Sequence, residues 1–218
     1  MFVIIGDIVN SRKINNRFEI QENLNKCFDK INNDYQKSIV SKISITLGDE
    51  FQGILSKSKD LFNIINRIER EMDTISIRFS IGVGEITTTI HKKTPLGTDG
   101  PAWWVARDSI EYIKKNKRGV YGKTNIIVSG NINEEILELI NNSLVLCYRI
   151  KDKWTKQQKE IFNYIFKNYG ITDKFIQTEI ANKLGIEESD INRKIKTSVF
   201  LDYVKTINSI RNVLKTYG

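Results

Sequence analysis

An apolar, β-branched run interrupted by a carboxylate occurs twice in this chain, and the pair constrains the fold more than any other feature. The first run is Phe2-Val3-Ile4-Ile5-Gly6-Asp7-Ile8. The second is Ser44-Ile45-Thr46-Leu47-Gly48-Asp49-Glu50-Phe51-Gln52-Gly53-Ile54-Leu55. In the first, the carboxylate sits where a buried strand would end. In the second, Gly48-Asp49 divides two apolar halves, the signal of a tight hairpin turn. Antiparallel pairing that holds Asp7 beside Asp49 sets acidic oxygens a few ångströms apart. Hard divalent cations such as Mg²⁺ need that arrangement and usually share their sphere with substrate phosphates. Solvated turn carboxylates without a metal are the simpler reading of the spacing taken alone.

Between the two runs, Ile20, Leu24, Phe28 and Ile31 recur at helical spacing over residues 17–37. A second helix is expected over 58–72, with Leu61, Ile64, Ile65 and Ile68 on one face, followed by a strand over 75–83. The order is βαββαβ, with two helices on one face of an antiparallel sheet. A polar loop over 87–100 leads to Pro101, a good first residue for a helix over 102–115. A turn over 119–122 leads to a short strand over 125–128. A helix over 134–141 and a strand over 145–150 then complete the domain. The charged stretch Lys151-Asp152-Lys153 separates a first domain, 1–150, from a second, 151–218.

The second domain reads as all helix. A helix over 156–169 stops at Gly170. Segments 177–186 and 188–195 then look like a helix-turn-helix. Ala181 is small where the helices cross, Gly185 makes the sharp turn, and Ile191 and Ile195 lock the second helix onto the first. Its exposed residues Asn192, Arg193, Lys196 and Thr197 suit base and phosphate contact in duplex DNA. Glu187, Glu188 and Asp190 pull the other way, toward a module that touches only protein, because acids there would meet phosphates. The last helix, 200–215, either closes the small domain or forms a dimer seam.

Of the net charge of +8 carried by 218 residues, about +5 lies beyond residue 150, which agrees with a nucleic-acid partner. No run approaches the length of a membrane span, and the first residues form a strand pattern rather than a leader, so no membrane is expected. Cys27 and Cys147 lack metal-like spacing, and His91 is the only histidine. Zinc chemistry and Ser-His or Cys-His mechanisms are therefore disfavoured, and a thiol-reduced, cytoplasmic protein is expected.

Four segments in order, Asp7-Ile8, Gly48-Asp49, Arg78-Phe79-Ser80-Ile81-Gly82-Val83-Gly84-Glu85 and Ala106-Arg107, resemble the palm domain of class III nucleotidyl cyclases and diguanylate cyclases. The closer resemblance is to the SatD family of bacterial proteins. Its patterns Gly-Asp-Ile-Val-x-Ser-Arg, Gly-Asp-Glu-Phe-Gln-Gly and Asp-Gly-Pro-Ala-Trp stand here at 6–12, 48–53 and 99–103. The cyclase resemblance implies an α+β fold with a ferredoxin-like palm. By that analogy Asp7, Asp49 and the backbone carbonyl of Ile8 hold Mg²⁺ or Mn²⁺. Glu50, one residue further along the strand, is expected to point to the opposite face as a structural acid, and ranks behind them as a ligand by the diguanylate cyclase comparison. Arg107 is then the catalytic guanidinium that neutralises phosphate charge.

Arg12 and Lys13 follow the metal strand, where a phosphate tail would lie. Gly6 and Gly48 would let backbone amides approach that tail. Trp103 and Trp104 are adjacent on a helix and cannot share a face. One belongs to the core and the other can stack on a base; Trp103 is included among the nucleotide contacts. Two positions depart from the cyclase pattern: Trp103 stands where an asparagine is expected one turn before the arginine, and Leu47 replaces the first glycine of the diguanylate motif. The expected function is a bacterial regulator in which a palm that binds a Mg²⁺-nucleotide is coupled to a DNA-binding helix-turn-helix, with a homodimer as its state. The alternative is an active nucleotidyl cyclase or nucleotidyltransferase that attacks a nucleoside triphosphate by two-metal catalysis.

Overall fold

In the computed structural model, which describes residues 1–115 and 125–218, five strands form one mixed sheet of an α+β fold. They are β1 (Phe2–Ile8), β2 (Ile39–Leu47), β3 (Glu50–Leu55), β4 (Ile77–Val83) and β5 (Ile126–Gly130), in the order β2-β3-β1-β4-β5. β1 is central and antiparallel to both β3 and β4, whereas β5 runs parallel to β4. The sheet is thus not wholly antiparallel. Helix α3 (Pro101–Lys115) lies between β4 and β5 in sequence and packs on both. A crossover of this kind returns the chain so that the next strand enters in the same direction. The turn expected over 119–122 lies outside the described residues.

The period of two along β1 divides the core. Phe2, Ile4 and Ile8 face α1 (Arg17–Asp34) and α2 (Leu61–Glu71), while Val3 and Ile5 face α3. Helix α3 sits close to the sheet because of Gly82. A Cβ there would stand 2.0 Å from the Ala102 carbonyl oxygen, so a side chain would push the helix off.

One expected break is absent. Residues 134–152 form a single helix, α4 (Glu134–Asp152), where a helix followed by a strand over 145–150 is expected. Asn141-Asn142-Ser143 has the composition of a turn, yet Asn141 is buried inside the helix and serves β5. Its Oδ1 accepts the Val128 N–H at 2.8 Å, and its Nδ2 donates to the Val128 carbonyl at 2.9 Å. Ile140, Leu144 and Cys147, all buried, continue a helical period through the β-branched stretch. Tertiary pairing of the amide with a strand edge outweighs local turn propensity.

Four more helices follow: α5 (Lys156–Asn168), α6 (Gln177–Leu184), α7 (Glu188–Thr197) and α8 (Phe200–Leu214). The expected boundary at 151–153 falls at the end of α4. Beyond it, α5 and α8 pack on α2, and α8 also packs on α4. One apolar cluster runs from Phe2 to Leu214. Trp154 centres its aromatic part, touching Phe162, Phe166, Phe200 and Tyr203, and its Nε1 donates to the Ser198 carbonyl at 3.0 Å. Polar ties cross the same interface: Ile171 N–H donates to Asn63 Oδ1 at 3.0 Å, and Ser58 Oγ to the Arg211 carbonyl at 3.0 Å. No described helix is long and apolar enough to cross a membrane.

Candidate functional site

Residues directly opposed on neighbouring strands project to the same face of a sheet. The register sets Asp7 opposite Glu50 on β3 and opposite Arg78 on β4. These three side chains form a row on the face that α3 covers. Ile5, Gln52 and Ser80 form the next row. Asp7 is only 6% exposed, and each of its oxygens has a cation: Arg78 Nη1 at 3.2 Å from Oδ2 and Lys114 Nζ at 3.1 Å from Oδ1. Glu50 Oε1 accepts from Gln52 Nε2 at 2.5 Å and lies 3.7 Å from Arg107 Nη1. Arg107 and Lys114 are about two turns apart on α3, so one helix face reaches both carboxylates. Burial works against the Lys114 ammonium, but hydrogen bonds to Glu111 and Asp7 overcome it and hold its pKa above the ordinary lysine value.

Asp49, expected beside Asp7, is aimed elsewhere. Gly48, at φ +56°, turns the chain tightly, and the Asp49 N–H folds back on the Leu47 carbonyl at 2.5 Å. The Asp49 carbonyl accepts the Ile8 N–H at 3.1 Å, and its carboxylate accepts the Ser11 hydroxyl. It lines a small depression with Ile8, Arg17 and Gln21 at the start of α1. In a strand of period two, a single residue of offset sends neighbouring side chains to opposite faces. Glu50 therefore shares the face of Asp7, and Asp49 does not.

The remaining candidates are dispersed around this core. Arg12 and Lys13 are exposed in the short 3-10 turn Ser11–Lys13 that follows β1. Gly6 lies beneath the Phe51 ring, which fills the space a side chain would take. Ile8 closes β1 with its side chain in the core. Trp103 is buried under α3 in the cluster that holds Val3 and Ile5, whereas Trp104 is 56% exposed and donates Nε1 to Asp99 Oδ1 at 2.8 Å. Two buried polar atoms on the α3 side of the sheet, Ser80 Oγ and Trp103 Nε1, lack a hydrogen-bond partner among the described residues. Among the described residues no group of three or more His, Cys, Asp or Glu is arranged to hold a metal ion.

A second surface lies on α6 and α7. Gly185, at φ +66°, turns the chain between them, and Ile186 N–H donates to the Ala181 carbonyl at 3.1 Å. Ile180, Ile191 and Ile195 are buried, while Asn192, Arg193, Lys196 and Thr197 are all exposed. Arg193 is paired with Asp190 at 2.5 Å, and the Thr197 hydroxyl donates back to the Arg193 carbonyl at 3.0 Å.

The SatD family model matches residues 1–214, which include the Asp7–Glu50 row, α3 and the α6–α7 pair. The chain belongs to the SatD family. No curated protein and no solved structure matches this SatD-family chain. Three residues of its site were not anticipated: Gln52, Arg78 and Lys114. The signals were present. Gln52 lies two residues beyond Glu50, and Lys114 lies seven beyond Arg107, spacings that keep a face in a strand and in a helix respectively. The two cysteines of this family member stay outside the site. Burial pushes both thiols up to about 12, with Glu71 adding to the effect at Cys27, so both remain protonated near neutrality.

Proposed function

We propose that this SatD-family chain is a nucleotide-responsive regulator. In this reading, a palm formed by the sheet and α3 binds a Mg²⁺-nucleotide, and the α6–α7 pair acts as a helix-turn-helix on duplex DNA. The observation that carries the reading is the pairing of Asp7 with Glu50 under Arg107 and Lys114 of one helix. Two carboxylates on adjacent strands are a hard-oxygen set that suits Mg²⁺ when phosphates complete its sphere. Asp7 and Glu50 would hold the cation, whose contribution when bound is to offset phosphate charge.

The chain's own cations then have definite work. Lys114 neutralises Asp7 in the ligand-free chain and must release it for a divalent cation to enter. Arg107 has an exposed side chain and a long contact to Glu50, so little opposes its turning to a phosphate. Arg12 and Lys13 extend the positive surface past the end of β1. The interleaved order β2-β3-β1-β4, with α1 and α2 together on one face, supports the ferredoxin-like palm. The turn at Gly185 and the exposed basic side of α7 support the helix-turn-helix.

Thermal-shift measurements with each of the four nucleoside triphosphates, with and without Mg²⁺, test the palm. A rise in Tm that needs both nucleotide and Mg²⁺, and is lost in Glu50→Gln, is expected. No shift with any nucleotide sinks the palm reading. Release of pyrophosphate in the same mixtures would move the chain from sensor to nucleotidyltransferase. For the α6–α7 pair, the expectation is a salt-sensitive mobility shift of genomic fragments that Arg193→Ala with Lys196→Ala abolishes. Failure to shift any fragment at low salt overturns it.

A further inference from the structure

A cavity of about 500 Å³ opens far from the Asp7–Glu50 row, where the end of β3 meets the last turn of α8. Its charged side chains are Lys57, Lys59, Arg211 and Lys215, and no acidic side chain lines it. None of the four enters an ion pair among the described residues. The nearby Asp60 accepts the Ser38 hydroxyl at 2.5 Å instead. Four cations thus gather with no acidic side chain among them, and Gly218 lies against the Phe2 ring.

Like charges gathered around one hollow repel one another, and a bound anion removes that cost. The hollow is also built rather than accidental. Its two walls are tied where Ser58 Oγ donates to the Arg211 carbonyl and Arg211 Nη1 donates to the Lys59 carbonyl at 3.4 Å. The amide of Asn212 adds a neutral donor, and Phe2 forms an apolar end. The volume lies in the range of small-molecule sites and exceeds what one inorganic ion fills. A concave site favours a small ligand over a nucleic-acid backbone, which needs an extended basic stripe.

We propose that this cavity binds a small phosphorylated organic anion, with Lys57, Lys59, Arg211 and Lys215 gripping its phosphate. The site needs no metal and is independent of the Mg²⁺-nucleotide reading of the Asp7–Glu50 row. Because its walls come from the β3–α2 connection and from α8, the ligand clamps the C-terminal helices to the sheet.

The test is isothermal titration of the full chain with AMP and with inorganic pyrophosphate, at low salt and with EDTA present to silence any divalent-cation site. Lys59→Ala with Lys215→Ala changes two exposed side chains and leaves the core untouched. AMP is expected to bind the wild type, with affinity falling roughly tenfold or more in the double variant and unchanged in Arg107→Ala. No AMP binding to the wild type overturns the proposal, as does equal binding by wild type and double variant. Binding of pyrophosphate alone reduces the site to an inorganic-anion site and overturns the organic ligand. Loss of AMP binding in Arg107→Ala would assign the ligand to the other site.

Discussion

At the residue scale, Asp7 and Asp49 look alike in the sequence and do different physical work. Asp7 is nearly buried between Arg78 and Lys114, so removing it takes away the ion-pair partner of Arg78 among the described residues and leaves Lys114 with Glu111. Asp7→Ala should cost about 2–4 kcal/mol without any metal, because an uncompensated buried charge is expensive. Asp49→Ala removes the Ser11 hydrogen bond at a turn and should cost about 1 kcal/mol. Urea unfolding of both variants in EDTA checks this, and equal losses would mean that the Asp7 ion pairs contribute little. The buried thiols give a pH dependence. Cys27 and Cys147 hold their protons up to about 12, against an ordinary 9.0. Between those values the unfolded chain has lost protons that the folded chain keeps, so stability falls as pH rises. The urea midpoint should therefore decline from pH 9 upward, and Cys147→Ala should flatten part of the decline.

At the element scale, α3 is the piece on which the candidate site depends. It delivers Arg107 and Lys114, and its seat on the sheet relies on Gly82. Gly82→Ala should destabilise the fold by about 1–3 kcal/mol through overpacking against the Ala102 backbone. It should also change the near-UV circular dichroism, since the Trp103 side chain of the same helix packs with Val3 and Ile5 of β1. An unchanged spectrum and unfolding midpoint would show that α3 can shift without cost. Helix α4 illustrates the reverse dependence, in which an element is held in one piece by another. Its Asn141 amide satisfies both main-chain groups of Val128, and β5 gains a partner on its open side.

At the scale of the whole molecule, the C-terminal helices cover part of the first 150 residues. Removing 151–218 strips α5 and α8 from α2 and takes Trp154, Phe162 and Phe200 out of the continuous apolar cluster. The uncovered face of α2 would include Asn63, which bonds Ile171 in the intact chain, and Asn66, which lines a pocket with Trp154. A fragment of residues 1–150 should accordingly bind ANS and melt with low cooperativity or aggregate. A soluble fragment with a sharp transition would show that α2 can face water. The continuity matters for regulation, because a ligand held at either end of α8 acts on the same packed body as the sheet. Coupling between nucleotide and DNA, if present, must be reciprocal in free energy.

The sequence by itself determined the strands, most helices and the two-residue turn at Gly48-Asp49. Those features rest on periodicity and turn chemistry, which are properties of neighbouring residues. It also supplied the motifs that mark the family, and in them most residues of the site. What it left open was which carboxylates meet. Asp49 and Glu50 are adjacent in sequence, and only the β1–β3 register puts Glu50 on the face of Asp7. Register is a long-range property, settled by which apolar face is buried, and a slip of one residue would exchange the two acids. The strand expected over 145–150 became helix for a similar reason: the partner of Asn141 is Val128, thirteen residues away and on another element. The basic cavity is the extreme case. Lys57 and Lys59 are separated from Arg211 and Lys215 by most of the chain, and only the packing of α8 against the turn that follows β3 brings the four charges to one hollow.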